Sequence, residues 1–424
     1  MSRLRVKNFG PIKEGFSEND GFMEITPVTV ICGNQATGKS TIAKLYSTLT
    51  WLEKSFVKTG LGKKIIPNTD FISFCSQQRL HEYFTESTEI EYIGHTCTFS
   101  FKNNAFSQEL AKDFNNSLLS YNRPKIMYIP AERNLLTVVD NADNIGNLPL
   151  MLSILLEEYN KAKKHSESGL FDLPISNVKL QYDRQTLSTK VLTENGIIDI
   201  LNSSSGIQSV APISLVARFL ADDVSGDFLR NINRLSVNGR EEIKEWLRQG
   251  DSPLGREVTL SYFEQLLYGQ TISESMKEKL SLLLHFFFNT CFINIVEEPE
   301  QNLYPESQGK VLFELLECMN TNEHNQLMIT THSPYMLSYL TQSAKAAELL
   351  KKGVPSERIE KSVPVKSAVA GEKISIYETK EDGSIALLKP YENLPSDANL
   401  LNKALADGNE RFAELLDLEE EFCQ

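Results

Sequence analysis

Residues 33–40 read Gly-Asn-Gln-Ala-Thr-Gly-Lys-Ser, a complete G-x-x-x-x-G-K-[ST] phosphate-binding loop. The run Val28-Thr-Val-Ile-Cys32 before it reads as a buried strand, and Thr41-Ile-Ala-Lys-Leu-Tyr46 after it reads as a helix. That strand–loop–helix context is what the motif requires. Gly33 and Gly38 let backbone N–H groups face a phosphate with no Cβ in the way. Asn34, Gln35, Ala36 and Thr37 form the rest of the loop, and Thr41 closes it. Lys39 reaches the β- and γ-phosphates, and Ser40 offers its hydroxyl to Mg²⁺. The helix start adds partial positive charge. The stretch therefore points to an α/β domain that binds a nucleoside triphosphate, ATP being the reading adopted, with Mg²⁺.

The remaining composition narrows the class. With 424 residues, 41% of them hydrophobic and 23% charged, the chain suits one large or two medium globular domains. No apolar run reaches the length of a membrane span, and Met1-Ser-Arg-Leu-Arg-Val-Lys7 lacks an apolar signal core, so a cytoplasmic location without a membrane partner is expected. Six cysteines (Cys32, Cys75, Cys97, Cys291, Cys318 and Cys423) form no C-x-x-C pair, which favours reduced thiols over disulfides or zinc. A net charge of −13 argues against a surface that binds nucleic acid throughout and leaves room for a local basic groove.

Working outward, Leu4–Phe9 and Phe22–Ile25 read as edge strands leading to the loop strand. Helix 39–57 and a loop around 60–69 follow. Residues 89–102 alternate like a two-stranded meander, 125–129 reads as a strand, and 147–164 as a helix ending in Lys161-Ala-Lys-Lys164. Residues 179–200 are strand-like. Residues 209–289 are mostly helical, broken near Gly250-Asp-Ser-Pro-Leu-Gly255, and read as an inserted helical lobe. Strand 291–296, helix 306–320, strand 326–330 and helix 334–347 come next. A hairpin at 374–388 and an acidic amphipathic helix near 396–418 end the chain.

Three further motifs carry chemistry. The apolar strand 291–296 runs into Glu297-Glu298-Pro299-Glu300. A phosphate-loop ATPase needs one carboxylate for the metal and one group to orient the attacking water. Glu297 is assigned to the metal with Ser40, and Glu298 to the water. The strand Leu327-Met-Ile-Thr-Thr331 ends at His332, placed to hydrogen-bond both phosphate and water. Ser205-Gly206-Ile207-Gln208 opens an apolar helix; it reads either as an N-cap or as an anion site made of free N–H groups and a hydroxyl.

The order phosphate loop, Ser-Ser-Gly-x-Gln, Glu-Glu-Pro-Glu, Thr-His-Ser resembles the ABC-type ATPase head, in the branch with SMC, RecF and OLD-family proteins. Leu4-x-Val-x-Asn-Phe-Gly-Pro-Ile12 resembles the first strand of that branch. Tyr128-Ile-Pro-Ala-Glu-Arg133 and Glu297-Glu-Pro-Glu-x-x-Leu-Tyr-Pro305 resemble OLD-like ATPases of bacterial defence. The resemblance spans most of residues 1–340. It implies a P-loop NTPase fold with an ABC-type head: residues 1–205 as its N-terminal part, 206–290 as signature helix and helical lobe, and 291–345 as the part bearing the acidic strand and the switch histidine. Residues 346–424 then form a C-terminal hairpin and acidic helix. By the same resemblance Ser205, Gly206 and Gln208 match the signature motif, which in that family closes on the ATP of another subunit. A homodimer or higher oligomer with shared ATP sites is implied, with 300–305 passing between the sites. Three departures stand out: Glu at 297 where many ABC proteins have Asp, Ile after Gly206, and no clear Q-loop, with Gln77, Gln78, Glu132 and Arg133 as contenders.

Residues 341–424 hold no Asp-x-Asp, so no Toprim nuclease site is expected in this chain. Size and motif layout resemble AriA-type ATPases of the PARIS anti-phage system. That resemblance implies an ATPase sensor and scaffold that controls a separate Toprim nuclease effector and responds to a phage-encoded trigger. The alternative is a RecF- or SMC-like repair or recombination ATPase with DNA as partner. A third reading is a toxin–antitoxin or stand-alone regulatory ATPase without a nuclease. The absence of a long coiled coil counts against an SMC-type DNA-bridging protein. The acidic run Glu414–Glu421 reads as a solvated helix face or a docking tail. Lys351, Lys352, Arg358, Lys361 and Lys366 read as a charged linker or a local surface for an anionic partner.

Overall fold

The computed structural model describes residues 2–58, 66–114, 117, 120–139, 142–165, 169–175, 177–224, 232, 233, 235, 237–249, 260–284, 287–396 and 398–422. The breaker cluster at 250–255, residues 60–65 of the early loop, and Cys423 lie outside the described residues. Along the chain the first strands are β1 (Ser2–Lys7), β2 (Gly15–Phe16), β3 (Met23–Ile25), β4 (Val28–Gly33), β5 (Glu89–Ile93), β6 (Cys97–Lys102), β7 (Ala105–Leu110) and β8 (Pro124–Ile129). They are followed by β9 (Leu170–Asp172), β10 (Lys179–Asp183), β11 (Ser188–Thr193), β12 (Gly196–Asp199), β13 (Cys291–Glu297), β14 (Gln326–Thr331), β15 (Ile374–Thr379) and β16 (Ser384–Leu387).

A seven-stranded central sheet runs in the order β2-β16-β15-β4-β14-β13-β8. From β15 through β4, β14 and β13 to β8 every pairing is parallel. Strands covered on both faces read as continuous apolar runs, and every residue of β4 and β13 is buried. Their side chains nonetheless alternate. Val28, Val30, Phe292, Val296, Leu327 and Ile329 face one core, with helices Ser205–Val224, Pro305–Asn320 and Pro334–Lys351. Ile31, Ile293, Ile295 and Met328 face the other, with helix Lys39–Lys58. Glu297 continues the odd-numbered positions of β13, which points it to the side of the phosphate-loop helix.

The other sheets flank this frame. The antiparallel sheet β3-β1-β5-β6-β7 packs Leu4, Val6, Ile90 and Tyr92 into the same core as helix Lys39–Lys58. Strand β1 lies inside that sheet, between β3 and β5, rather than at an edge. The meander has a third strand, β7, whose outward residues are polar and which therefore lacks a strong apolar alternation. The sheet β12-β11-β10-β9 buries Leu180 and Val191 beside helix Leu150–His165.

The helical region divides. Helix Ser205–Val224 belongs to the central core, whereas Ile232, Ile243, Phe263, Leu266, Leu280 and Leu284 build a small core of their own. The C-terminal hairpin is part of the central sheet: β15 pairs directly with β4, and Thr379 touches the phosphate loop. No described helix is long and apolar enough to cross a membrane. The five described cysteines are free and buried.

Leu316 is fully buried in helix Pro305–Asn320, in the core that backs the acidic strand. Leu316→Ala should therefore cost about 2–5 kcal/mol, cavity included. A urea-unfolding midpoint unchanged from wild type would contradict this packing.

Candidate functional site

Parallel strands place their C-terminal ends at one edge of a sheet, where the chain must leave the ladder and ligand sites form. Here that edge gathers Gly33 from β4, Thr331-His332 from β14, and Glu297-Glu298 from β13. Strand β14 lies between the loop strand and the acidic strand, so the histidine is nearer in the sheet to the phosphate loop than Glu297 is.

The loop is tightly bounded. Gly33 has φ +142°, and a Cβ there would sit 2.4 Å from the Thr379 carbonyl. Gly38 has φ +99°, and a Cβ would meet Ile12 at 2.4 Å. Neither position admits an L side chain without strain. Thr37 donates to the Asn34 carbonyl (2.8 Å), and its hydroxyl lies 2.6 Å from that of Thr379. The Asn34 amide donates to Glu381 (2.9 Å), so the β15–β16 turn braces the loop from outside. Gln35 and Ala36 are exposed, whereas Thr37, Gly38, Lys39 and Thr41 are buried, with Ser40 between the two. The Lys39 ammonium donates to the carbonyls of Gly33 (3.2 Å) and Asn34 (2.6 Å). Burial lowers its pKa, while Glu298, Cys32, Glu300 and Glu297 act in the opposite direction.

The carboxylates differ in their surroundings. Glu297 is buried and accepts from the Tyr128 hydroxyl (2.5 Å) and the Ala131 amide (3.1 Å). Those bonds fix the carboxylate at the end of β13 and leave oxygen lone pairs for a further partner. Glu298 is partly exposed, and its carboxylate lies 3.2 Å from His332 Nε2. The hydrogen bond from His332 holds the Glu298 carboxyl below the usual carboxylate range against the opposing effect of burial; the charges of His332, Lys39 and Arg133 add to it. Its backbone is left-handed, φ +42°, a costly conformation for a residue with a Cβ. Glu300 accepts from the Thr331 hydroxyl (2.7 Å) and the His332 amide (2.8 Å), which orients the histidine segment. Burial pushes the Glu300 carboxyl up. Its second oxygen is buried without a partner among the described atoms.

Arg133, fully buried, joins these pieces. Its guanidinium donates to the carbonyls of Glu297 (2.7 Å), Glu298 (2.7 Å), Pro130 (3.3 Å) and Ser209 (3.1 Å). Burial pulls its pKa down to about 10, and Glu300, Glu298, Glu297 and Glu132 offset part of that. The helix is irregular beside the contact with Ser209. Pro212 inside helix Ser205–Val224 cannot donate to the Gln208 carbonyl. The Thr137 hydroxyl takes that carbonyl at 2.9 Å, and Arg133 takes the next one.

At the start of this helix Ser205 is exposed, and none of the described hydrogen bonds ties it to residues 33–40. Gly206 packs against the following acidic loop, where a Cβ would lie 2.9 Å from the Asn302 carbonyl. The Asn302 amide donates to Ser209 Oγ at 3.0 Å. The Gln208 side chain is turned inward, donating to the carbonyls of Ile200 (3.0 Å) and Leu201 (3.1 Å). Of the Q-loop contenders, Gln77 is exposed and Gln78 bonds Met151 Sδ (3.2 Å), while Arg133 reaches the acidic strand end. Tyr128 and Arg133 belong to the Tyr-Ile-Pro-Ala-Glu-Arg run that carries a resemblance, and Arg133 is a Q-loop contender; their contacts with Glu297 and Glu298 are what the sequence does not reveal.

One family model covers part of this site. Residues 288–337 match the family described as AAA ATPase domain, and that stretch contains Glu297, Glu298, Glu300 and His332. No curated protein matches the chain at a significant level. Among solved structures the chain is similar to an SMC head domain from Thermotoga maritima, at 9% identity and TM-score 0.36, covering 92% of this chain and 98% of that one. It is also similar to an Smc head bound to the C-terminal winged-helix domain of ScpA, at 10% identity and TM-score 0.37, with 91% and 95% covered. An Smc head with an extended coiled coil, bound to a ScpA domain derived from Pyrococcus furiosus, gives 12% identity and TM-score 0.32, with 97% and 99% covered. The strand order and the loop of this chain themselves make it an α/β P-loop domain, and the family match supports an ATPase.

Proposed function

We propose that this chain is an ATP-binding and ATP-hydrolysing sensor and scaffold subunit. The observation that carries the reading is the convergence of Lys39, Ser40, Glu297 and the Glu298–His332 pair on one sheet edge. The loop suits a polyphosphate, because Gly33 and Gly38 adopt the positive φ that turns its backbone N–H groups outward, at positions where Thr379 and Ile12 leave no room for a Cβ. Ser40 and Glu297 would hold Mg²⁺, whose charge would offset that of the phosphate oxygens. Lys39 would turn from the loop carbonyls to phosphate oxygens. Glu298 would accept hydrogen bonding from the attacking water, and His332 would hold that carboxylate in place.

The exposed start of helix Ser205–Val224 supports a shared site, in which Ser205 and the free N–H groups beside it serve the ATP of a neighbouring copy. Bacterial anti-phage defence of the PARIS kind, with a separate Toprim nuclease as effector and a phage protein as trigger, is the biological setting we infer. The motif order and the Glu-Glu-Pro-Glu-x-x-Leu-Tyr-Pro run support it. Co-purification of the native complex with mass measurement tests it: a bound nuclease supports the setting, and DNA-stimulated turnover with no bound protein overturns it in favour of a repair ATPase.

Glu298→Gln should bind ATP yet hydrolyse it roughly 10²–10⁴-fold more slowly; normal turnover would move the water-orienting role elsewhere. Because His332 depresses the Glu298 pKa, the ionised carboxylate persists to lower pH and is lost as pH falls through that depressed value. In His332→Ala the acidic limb of the pH–rate profile should therefore shift to higher pH, and an unmoved limb would dissociate the pair from catalysis. Ser205→Arg should poison wild-type Lys39 sites in mixed oligomers. Full activity of a strictly monomeric wild type would refute the shared site.

A further inference from the structure

Helix Leu400–Phe422 is anchored at one end only. The Leu400 amide donates to Glu378 at 2.7 Å, and Leu401 packs on the central core. Beyond that point none of its residues is buried. Leu405, Phe412, Leu415, Leu416 and Phe422 are between 46% and 73% exposed. An isolated helix of this length gains little from propensity alone and is stabilised mainly by covering its apolar face.

The order of those residues specifies what covers it. Leu401, Leu405, Gly408, Phe412, Leu415, Glu419 and Phe422 follow one another by alternating steps of four and three, the spacing of a helix–helix seam. Charge is divided along the helix. Residues 400–411 balance Lys403 and Arg411 against Asp407 and Glu410, whereas 412–422 carry five acids and no base. Two such helices side by side in parallel would bring both acidic halves together. Antiparallel, with Gly408 opposite Phe412, each acidic half lies beside residues 398–408, where Lys403 balances Asp407. The same register sets Gly408 opposite Phe412, small against large, and Leu405 opposite Leu415. The face is therefore complementary to itself, as a two-fold symmetric contact requires.

We propose that helix Leu400–Phe422 pairs antiparallel with the same helix of a second copy of this chain. The contact is independent of nucleotide and rests on none of the ATP chemistry above. It holds two copies together before any shared ATP site closes.

The test uses the full chain without nucleotide, in a Lys39→Ala background so that ATP cannot drive association. Sedimentation equilibrium should find a dimer. Adding Phe412→Glu and Leu415→Glu should weaken it at least tenfold, roughly the effect of about 1.4 kcal/mol. The thermal unfolding midpoint of the ATPase domain should not move, since both residues are exposed. For orientation, Cys423→Ser chains carrying either Ala404→Cys or Leu418→Cys are mixed and oxidised. The antiparallel pair gives 404–418 disulfides between chains. A monomer at all concentrations tested, a dimer indifferent to the glutamates, or 404–404 and 418–418 disulfides alone would each overturn the proposal. A heterologous partner for this face would appear as the first of these results.

Discussion

A buried guanidinium that binds only backbone holds the site together. Taking the charge of Arg133 out of water costs several kcal/mol unless its donors are satisfied. They are satisfied by carbonyls from three segments: Pro130 at the end of β8, Glu297 and Glu298 at the end of β13, and Ser209 in the helix that Pro212 interrupts. The left-handed turn at Glu298 takes its carbonyl out of the β13 ladder, where Gln301 and Arg133 both donate to it, and Pro212 leaves the Gln208 carbonyl to the Thr137 hydroxyl, one residue before the carbonyl that Arg133 binds. Arg133 bridges these two irregular segments. The surrounding glutamates offset part of its desolvation, which is why a full charge is tolerated there.

The central sheet provides the rest of the positioning. Alternation along β4, β13 and β14 divides two apolar cores with little ambiguity of register, since a one-residue slip would send Ile293 and Ile295 to the wrong face. Given that register, Glu297 turns to the phosphate-loop helix and His332 emerges between the loop and the acidic strand. The C-terminal hairpin adds a second constraint. Thr379 and Glu381 touch Thr37 and Asn34, so a segment more than three hundred residues downstream fixes the loop from its outer side.

Local patterns were legible in the sequence and long-range ones were not. The phosphate loop needs eight consecutive residues and two flanks, all of which are local. Glu297 and Glu298 follow an apolar strand, and His332 follows another, so their placement at strand ends could be read directly. The roles of Tyr128 and Arg133 could not: apart from the bond to Pro130 their hydrogen bonds cross more than seventy residues, and the sequence offered Arg133 only as a Q-loop contender. Gln208 matched a motif on type and spacing, yet the geometry turns it inward to Ile200 and Leu201. Strands β7 and β9 were missed because one is half polar and the other is three residues long. The last helix was recognisable as amphipathic, but nothing in its sequence says that its apolar face lies uncovered by the rest of the chain.

The backbone-only character of the Arg133 contacts has a consequence for sequence change. Substituting a side chain at 209, 297 or 298 removes none of the four carbonyls it binds. The backbone part of the linkage between the acidic strand and the helix opened by Ser205 thus depends on the identity of a single residue, while the Asn302–Ser209 side-chain bond is the part that a change at 209 would cut. Glu297 and Glu298 could be exchanged for other side chains while the frame that aims them persists. A catalytically silent relative built on this chain could still keep the same mechanical connection.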